Sequence, residues 1–260
     1  MQIWEHGEII SKTFTGKLEG NSHKISNIRM GNDGGLFKDL RGEINNLNVE
    51  NYTNEKAKNY RVGLVEYLKG GTINNVHVNK ATIKIDLTYK GAINCAGLVA
   101  YAETGTVKNS SINNLYIETN AESTATAIGG IIANSKGSSI SNCFTQDINF
   151  KVNKTINSLG IGGICGYDST SNNITNCYST GNIEADTSNI GGIIGFAQNG
   201  EIKSCYSTIN IITDGEYIGG IVGNDRQTIL NNNINNLAIG NIYSKQSYRK
   251  FERRRKQLCI

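Results

Sequence analysis

Proline is absent from this chain of 260 residues, tryptophan occurs once and histidine occurs three times. No run of about 18 apolar residues is present, so the sequence predicts no membrane-spanning helix. The first residues, Met1 to His6, lack the basic and apolar regions of a signal peptide, and we expect no secretory leader in the chain as written. No apolar pattern of helical period is sustained across residues 1–244, which argues against a helical fold.

The sequence also lacks the usual signatures of metal and cofactor sites. None of the six cysteines belongs to a C-x-x-C pair, which excludes the common zinc-ribbon and redox spacings. The three histidines, His6, His23 and His77, do not form an H-E-x-x-H motif. We therefore predict no catalytic residue, no metal ligand and no cofactor-binding residue, and we expect that the chain is not an enzyme.

The net charge of +4 is concentrated at one end of the chain. Residues 245–260 carry a net charge of +6, so the 244 residues before them have a net charge of −2. A body so close to neutral argues against nucleic acid as the partner of the whole domain. We divide the chain into a repeat domain, residues 1–244, and a basic C-terminal tail or helical cap, residues 245–260.

Glycine and asparagine are abundant, with 30 and 36 residues respectively. Both tolerate the left-handed and turn conformations that other residues avoid. Apolar residues still make up 38% of the chain and recur at regular places, unlike in a disordered protein. This combination predicts many short strands joined by tight turns.

One glycine-rich unit recurs seven times. Its clearest copies read I-G-G-I-C-G at 161–166, I-G-G-I-I-G at 190–195 and I-G-G-I-V-G at 218–223. Copies aligned on the second glycine are 28 to 34 residues apart, at Gly35, Gly63, Gly97, Gly130, Gly163, Gly192 and Gly220. This period is typical of solenoids and is shorter than the roughly forty residues of a propeller blade.

A second motif begins nine to eleven residues after each of these glycines. Its first residue is apolar, at Ile44, Ile73, Val107, Ile140, Ile174, Ile202 and Ile229. A polar residue follows two positions later, at Asn46, Asn75, Asn109, Asn142, Asn176, Ser204 and Asn231. The next position holds Leu47, Val76, Ser110, Cys143, Cys177, Cys205 and Asn232. Apolar and polar residues alternate within the motif, which indicates β-strands.

A coil of about thirty residues cannot bury its apolar face alone, so successive copies must stack on one another. We predict an all-β fold, a parallel β-helix or β-solenoid of about seven coils. The paired glycines should permit a sharp bend or a close backbone contact. The asparagines Asn75, Asn109, Asn142 and Asn176 should form a buried, hydrogen-bonded ladder. Tyr178 and Tyr206 fall in one outward column.

The unit I-G-G-I-x-G, followed about ten residues later by I-T-N-C-Y-S-T-G-N-I at 174–183, resembles the GLUG repeat. The segments 14–25 and 35–37 resemble the coil that often precedes such repeats, and the resemblance extends over residues 14–243. It implies a right-handed β-helix in a bacterial surface or secreted protein, and hence an extracellular or cell-surface location. Such repeats occur in adhesins and in non-catalytic regions of immunoglobulin-A-cleaving zinc peptidases. The peptidase motif H-E-x-x-H is absent here, so no peptidase activity carries over.

Three single motifs suggest specific chemistry, but each is better explained by its place in the repeat. Residues 160–166 look like a phosphate-binding loop, but the glycine spacing differs and the recurrence favours a solenoid turn. Cys143, Cys177 and Cys205 share a column, where free buried thiols are favoured over a metal site or over disulfides, because stacked Cβ vectors are parallel. His23 and His77 have no nucleophile beside them that the sequence justifies.

Carboxylates for sugar hydrolysis are not paired in any way that the sequence reveals. The acidic residues considered for this role are scattered: Asp33, Asp39, Glu43, Asp86, Asp168 and Asp186. A β-helix enzyme acting on polysaccharide would need two of them within about 10 Å in one cleft. That enzyme remains the alternative to the function that we expect.

We expect a non-catalytic, adhesin-like structural or binding segment, a spacer that presents a side face to a host or cell-surface protein or glycan. The tail has helical character over residues 246–258, with Tyr248, Phe251 and Leu258 on one face. We expect it to form a short helix against the last coil, near Ile239 and Ile242. Nucleic acid or acidic lipid binding by the run from Arg253 to Lys256 is the alternative.

Overall fold

The computed structural model of the chain describes residues 10–31, 33–57, 60–85, 91–119, 125–153, 157–225 and 233–244. These residues form a β-helix whose strands pair in parallel, so the predicted all-β solenoid is confirmed. None of them belongs to a helix, and so none forms one that is long and apolar enough to cross a membrane. The helix expected over 246–258 lies outside the described residues, and the division at residue 244 stays a prediction.

Thirty strands succeed one another along the described residues. The first two coils contain β1 (Ile10–Phe14), β2 (Lys17–Glu19), β3 (Lys24–Ser26), β4 (Arg29–Met30), β5 (Phe37–Leu40) and β6 (Glu43–Ala57). The next two contain β7 (Arg61–Val62), β8 (Val65–Lys69), β9 (Thr72–Ile85), β10 (Ile93–Ala96), β11 (Val99–Glu103), β12 (Thr106–Lys108) and β13 (Ser111–Thr119).

The second half of the rod continues the same succession. Two coils contain β14 (Thr126–Gly129), β15 (Ile132–Lys136), β16 (Ser139–Ser141), β17 (Phe144–Val152), β18 (Ser158–Gly162), β19 (Cys165–Asp168), β20 (Asn172–Thr175) and β21 (Tyr178–Ala185). The last two contain β22 (Ile190–Gly191), β23 (Ile194–Phe196), β24 (Gly200–Lys203), β25 (Tyr206–Ile212), β26 (Ile218–Gly219), β27 (Val222–Asn224), β28 (Asn233–Ile234), β29 (Leu237–Ala238) and β30 (Ile242–Tyr243).

Three parallel sheets form the walls of the solenoid. The six-stranded sheet has the order β26-β22-β18-β14-β10-β7, and the eight-stranded sheet has the order β1-β5-β8-β11-β15-β19-β23-β27. The remaining sixteen strands form the third wall, to which each complete coil contributes one long segment or two shorter ones. Each strand between the two ends of a sheet pairs with the equivalent strand of the coil before and the coil after, so backbone polar groups are satisfied along the middle of the rod.

The expected count of seven coils is too high for complete turns. Five coils, between Arg61 and Ile212, contribute described strands to all three sheets and have a buried core. The first two coils have no strand in the six-stranded sheet. The coil after Ile212 lacks a described connection between residues 225 and 233. The glycine repeat marks one bend in each coil, complete or not, and therefore overcounts complete turns.

The paired glycines lie where backbones approach too closely for a side chain. A Cβ on Gly163 would lie 2.3 Å from the carbonyl oxygen of Gly192, and one on Gly130 would lie 2.2 Å from that of Gly163. The glycines stack in a column, and the Gly163 amide donates a hydrogen bond to Gly192. The prediction of a tight bend with close backbone packing is confirmed.

The apolar columns that the repeat predicts line the core. The first residues of the second motif pair with one another along the sixteen-stranded sheet and are buried: Ile44, Ile73, Val107, Ile140, Ile174 and Ile202. One continuous apolar cluster extends from Ile28 to Ile211. Because every coil adds to the same cluster, no internal boundary divides the described rod.

The alignment of the second motif is wrong in the last coil. The structure pairs Ile202 with Asn233, not with Ile229, and the left-handed residue that follows Ser204 in the column is Asn235, not Asn231. The position expected for Asn232 belongs to Asn236, whose side-chain oxygen accepts a hydrogen bond from the Cys205 amide. Asn233 lies 13 residues after Gly220, against nine to eleven in the other coils, and added loop length costs little free energy.

Candidate interaction surface

A column of left-handed residues marks one bend of the sixteen-stranded sheet. Its members have φ between 52° and 56°: Asn46, Asn75, Asn109, Asn142, Asn176, Ser204 and Asn235. Asparagine adopts this conformation more readily than other residues that have a Cβ. The backbone of the bend therefore explains why asparagine recurs at this position of the repeat.

The asparagines of this column form part of the expected ladder, but on the surface. The Asn142 side-chain amide donates to Asn109 and that of Asn176 donates to Asn142, each at 3.2 Å. All three side chains are exposed, so the prediction that they are buried is wrong. The ladder is also interrupted, because Asn109 donates to Asn74 and not to Asn75. The left-handed bend turns these side chains away from the core.

At four of these bends, the side chain of the next residue donates a hydrogen bond to the carbonyl oxygen two residues earlier. The Ser110 hydroxyl donates to Lys108 at 2.8 Å. The thiols of Cys143, Cys177 and Cys205 make the same bond over 3.2, 3.2 and 3.4 Å. These three thiols are buried and unbridged, as the sequence predicts. Contact with its two neighbouring thiols, together with burial, raises the pKa of Cys177 well above its ordinary value. The column satisfies carbonyl groups at the bend.

An aromatic strip runs beside this bend on the outer face of the sheet. Phe144, Tyr178 and Tyr206 pair in register, as the outward column of Tyr178 and Tyr206 predicts. The rings of Phe144 and Tyr178 stack with their centroids 4.7 Å apart and their planes within 2°. The Tyr206 ring is tilted by 55° and lies 6.4 Å from that of Tyr178. The faces of Phe144 and Tyr178 are therefore turned to one another, whereas the Tyr206 ring is tilted away from Tyr178 and is exposed.

A second row of amides lies on the far side of the strip. Asn210 donates to the side-chain oxygen of Asn182, and Asn241 donates to that of Asn210, each at 3.2 Å. From Tyr206 to Asn210, the outward residues of β25 are uncharged. We use the name amide–tyrosine surface for the strip and its two flanking rows, which comprise Asn109, Asn142, Asn176, Phe144, Tyr178, Tyr206, Asn182, Asn210 and Asn241.

A cation–π cluster that the sequence does not reveal joins the six-stranded and eight-stranded sheets. The Arg61 guanidinium lies 4.8, 4.7 and 4.8 Å from the ring centres of Tyr60, Tyr67 and Tyr101. The Tyr67 hydroxyl also donates to Glu103, and burial raises the pKa of Tyr67 to about 12. The four residues come from two sheets and two coils, so no local spacing in the sequence brings them together.

A row of polar contacts crosses four coils at His77. The Ser111 hydroxyl lies 2.8 Å from Nδ1 of His77, and the Asn75 oxygen lies 2.8 Å from Nε2. The row continues from Asn75 to Asn46 and then to Glu19. The sequence places no nucleophile beside His77, whereas the structure places Ser111 there. The residue Ser111 is only 2% exposed, which leaves its hydroxyl inaccessible to a substrate.

The other histidines and the carboxylates do not converge. His23 contacts the Gly20 carbonyl oxygen at 3.0 Å, while His6 and Asp86 lie outside the described residues. Asp39 binds Arg41, and Asp168 is buried against backbone amides. Asp33 follows β4 and Asp186 follows β21, so these two residues belong to different coils.

A shallow groove of about 410 Å³ lies at the corner between the eight-stranded and sixteen-stranded sheets. It is lined by Thr15, Gly16, Lys17, Arg41, Gly42, Glu43, Gly70, Gly71 and Thr72. Glu43 is the one carboxylate among these lining residues. Within the described residues, no group of three or more His, Cys, Asp or Glu side chains is placed to hold a metal ion.

Comparison with known proteins places this geometry in a family of repeats. The family model described as the GLUG motif matches residues 186–212. A solved structure named IgA1 Protease is similar over 83% of this chain and 16% of that chain, with 18% identity and a TM-score of 0.54. The chain thus spans about a sixth of the length of that protein. No curated protein matches the chain. The matched residues include β25, which pairs in register with β21 of the coil before it, so the parallel β-helix contains a match to the GLUG motif in this coil.

Proposed function

We propose that this chain is a non-catalytic β-helix segment that serves as a rigid spacer and offers its amide–tyrosine surface to a protein ligand outside the cell. The observation that carries this proposal is the surface itself. The Tyr178–Tyr206 strip lies between two rows of amides that repeat at the coil spacing. Tyrosine and asparagine are well suited to recognition, because they combine apolar area with hydrogen bonding at low cost in conformational entropy.

A protein ligand fits this surface better than a glycan does. Stacking on a sugar requires an exposed ring face, and Phe144 and Tyr178 turn their faces to each other at 4.7 Å. The ring edges and free amide hydrogen-bonding positions that remain suit the mixed polar and apolar groups of a folded protein. The binding experiment must therefore distinguish recognition of a protein from recognition of a glycan.

The role of spacer rests on the continuous construction of the rod. Three parallel sheets and one apolar cluster extend through the described coils, so bending the rod would break hydrogen bonds and open the core. The chain matches only 16% of the structurally similar IgA1 Protease. We propose that it is a non-catalytic region of a larger secreted or surface protein.

The geometry of the polar groups supports a non-catalytic role over a polysaccharide-degrading one. The corner groove is lined by the single carboxylate Glu43, whereas glycoside hydrolysis needs two. The pair of Ser111 and His77 has the spacing of a nucleophile and its base, but Ser111 is covered. A fluorophosphonate probe should therefore leave Ser111 unlabelled in the folded protein. Labelling that disappears in Ser111→Ala would make a hydrolase the better interpretation.

Binding to IgA1 tests the proposal, because the name of the structurally similar protein suggests this ligand first. We expect immobilised IgA1, intact and enzymatically deglycosylated, to bind the chain equally well in biolayer interferometry. Tyr206→Ser should weaken binding at least about tenfold, because a tyrosine that anchors an interface contributes about 2 kcal/mol or more and tenfold corresponds to about 1.4 kcal/mol.

The matched control is Tyr217→Ser, because Tyr217 is exposed on the last coil and lies outside the amide–tyrosine surface. This variant should bind like the unchanged chain. Equal loss in both variants would place the interface elsewhere. Loss of binding after deglycosylation would identify a glycan as the ligand, and no binding to either form would remove IgA1 as the partner.

A further inference from the structure

The C-terminal end of the rod exposes the apolar residues of its last coil. The side chains of Leu237, Ile239 and Ile242 are 54%, 62% and 49% exposed, and that of Tyr243 is 41% exposed. Ile242 pairs with Ile211, which is fully buried at the equivalent place one coil earlier. Ile242 therefore continues an inward column that no described residue covers. Leu237 pairs with Tyr206, so Leu237 and Ile239 continue the outer face of the sheet at this end of the rod. We use the name end surface for Leu237, Ile239, Ile242 and Tyr243.

The same coil is acidic. Residues 213–244 contain Asp214, Glu216 and Asp225 against the single basic residue Arg226, which gives a net charge of −2. All three acidic residues are exposed. An apolar end with an acidic rim attracts a segment that combines apolar and basic side chains.

The chain contains one segment with that composition, directly after the last described residue. Residues 245–260 have a net charge of +6 and include the apolar side chains Tyr248, Phe251 and Leu258. The segment starts next to Ser244, whose hydroxyl donates a 2.9 Å hydrogen bond to the carboxylate of Asp214. It therefore starts on the acidic rim itself, without a spacer.

We propose that the end surface is the docking site of residues 245–260 of the same chain. Solenoids need their end coils covered, because an open end exposes apolar core and unpaired strand edges. The attachment at Ser244 gives this segment a high effective concentration at the end surface, which favours it over a second copy of the chain. The apolar side chains cover the uncovered column, and the basic ones face Asp214, Glu216 and Asp225.

Disulfide trapping in the full chain tests the proposal. Five of the six cysteines are buried in the rod, which leaves Cys259 of the segment as the reactive thiol. In Ile239→Cys, mild oxidation should rapidly join residue 239 to Cys259 within one chain. The triple variant Arg253→Glu, Arg254→Glu, Arg255→Glu keeps the tether but reverses its charge. It should slow the trapping at least about tenfold, because three attractions become repulsions.

Gly31→Cys is the matched control at the other end of the rod. Gly31 is exposed, and a Cβ there meets no atom within 4 Å, so this variant should fold normally. It should trap Cys259 far more slowly than Ile239→Cys does. The proposal would be overturned if residue 239 were trapped at the same rate with and without the charge reversal. A disulfide between two chains, with a dimer in light scattering, would show that a second copy is the occupant.

A measurement without introduced cysteines keeps the proposal falsifiable if Ile239→Cys does not fold. The amides of Leu237 and Ile239 bond to the coil before them. Their hydrogen exchange should accelerate in the charge-reversed chain, whereas exchange in β13 should not change. Unchanged exchange at both amides would contradict docking on the end surface.

Discussion

At the scale of single residues, each bend of the sixteen-stranded sheet depends on two neighbouring side chains. The first is an asparagine such as Asn176, which accepts a left-handed backbone with φ of 52°. The second is a small donor such as Cys177, whose thiol bonds the carbonyl oxygen of Thr175. Ser110 makes the same bond in an earlier coil. Hydrogen bonding at the bend, and not thiol chemistry, is therefore the property that Ser110 shares with the three cysteines of the column.

This conclusion predicts how Cys177 tolerates substitution. Cys177→Ser should change the free energy of unfolding little, because the hydroxyl can make the bond that Ser110 makes. Cys177→Val keeps the apolar volume but removes this hydrogen bond, while the Thr175 carbonyl oxygen keeps the Asn142 amide as a donor, so the loss should be about 0.5 to 1.5 kcal/mol. Urea denaturation measures both values. Equal stability of the two variants would show that apolar volume alone matters in this column.

A second prediction concerns the pH dependence that Asp168 introduces. Its carboxylate is 1% exposed and accepts hydrogen bonds from the amides of Thr170 and Asn172 at 2.9 and 3.2 Å. Burial nevertheless raises the pKa of Asp168 to about 6, from an ordinary value of 3.8. The native state therefore holds the proton more tightly than the unfolded chain does. The contribution of Asp168 to stability is complete below pH 3.8 and is lost as the pH rises to about 6.

The loss should amount to about 3 kcal/mol, since one pKa unit corresponds to about 1.4 kcal/mol. We expect the difference in unfolding free energy between the unchanged chain and Asp168→Asn to vary over this pH range and to be constant above about pH 7. Chemical denaturation across a pH series measures this difference. A difference that is independent of pH from about 4 to 7 would show that the carboxyl of Asp168 titrates normally.

At the scale of elements, the bend between the six-stranded and eight-stranded sheets sets the shape of each coil. Strand β18 ends at Gly162 and β19 begins at Cys165, so the chain changes sheet within two residues. A Cβ on Gly162 would lie 2.1 Å from the carbonyl oxygen of Cys165, and one on Gly163 would meet the next coil. The bend thus needs glycine for contact within the coil and also for contact between coils.

Substitution at Gly163 should therefore be far more costly than at an exposed glycine. In Gly163→Ala, the new methyl group would lie 2.5 Å from Cδ1 of Ile209 and 2.6 Å from Cβ of Ser179, besides its clash with Gly192. We expect a loss of at least about 3 kcal/mol in the free energy of unfolding. Gly31→Ala is the control and should stay within about 0.5 kcal/mol. Equal melting temperatures for the two variants would contradict the close packing at Gly163.

At the scale of the whole molecule, stability is transmitted from coil to coil. Each coil pairs only with its two neighbours, so the described rod behaves as a one-dimensional array. The central coils are covered on both sides, whereas the last coil has a neighbour on one side and exposes Leu237 and Ile239. Opening should therefore begin at the C-terminal end and proceed inward.

Native-state hydrogen exchange should show this gradient. The amide of Ile239, which bonds Ser207, should exchange at least about a hundredfold faster than that of Phe144, which bonds Ser110 in the middle of the rod. The difference reflects local opening of the last coil without unfolding of the centre. Uniform protection along the chain would show instead that the rod opens as one cooperative unit.

Much of the architecture was predictable because repeated residues do the same task in every coil. The apolar residues from Ile44 to Ile202 and the paired glycines recur once in every coil, so stacking of the coils brings equivalent residues into contact. The amide–tyrosine surface was predictable only in part. The period places Tyr178 and Tyr206 together, but the exposure of Asn142 results from the left-handed bend, which residue identity alone does not reveal.

The contacts that could not be predicted occur once in the part of the chain that the structure describes. Arg61 meets Tyr67 and Tyr101 across two sheets, and Ser111 meets His77 across two coils. The other described coils do not repeat these combinations, so the period carries no information about them. The shift of the last coil from Ile229 to Asn233 was hidden for a related reason, since a longer loop changes the alignment without changing the bend.

The sequence by itself determined the fold class, the period, the bends and the columns of the core, because each depends on a residue type that recurs. Only the tertiary structure decided which columns face solvent, which coils are complete and where Leu237, Ile239 and Ile242 remain uncovered. The physical reason is that a period specifies which residues are neighbours between coils. The side of the wall on which a residue lies depends on local dihedral angles, and coverage of the last coil depends on a segment outside the repeat.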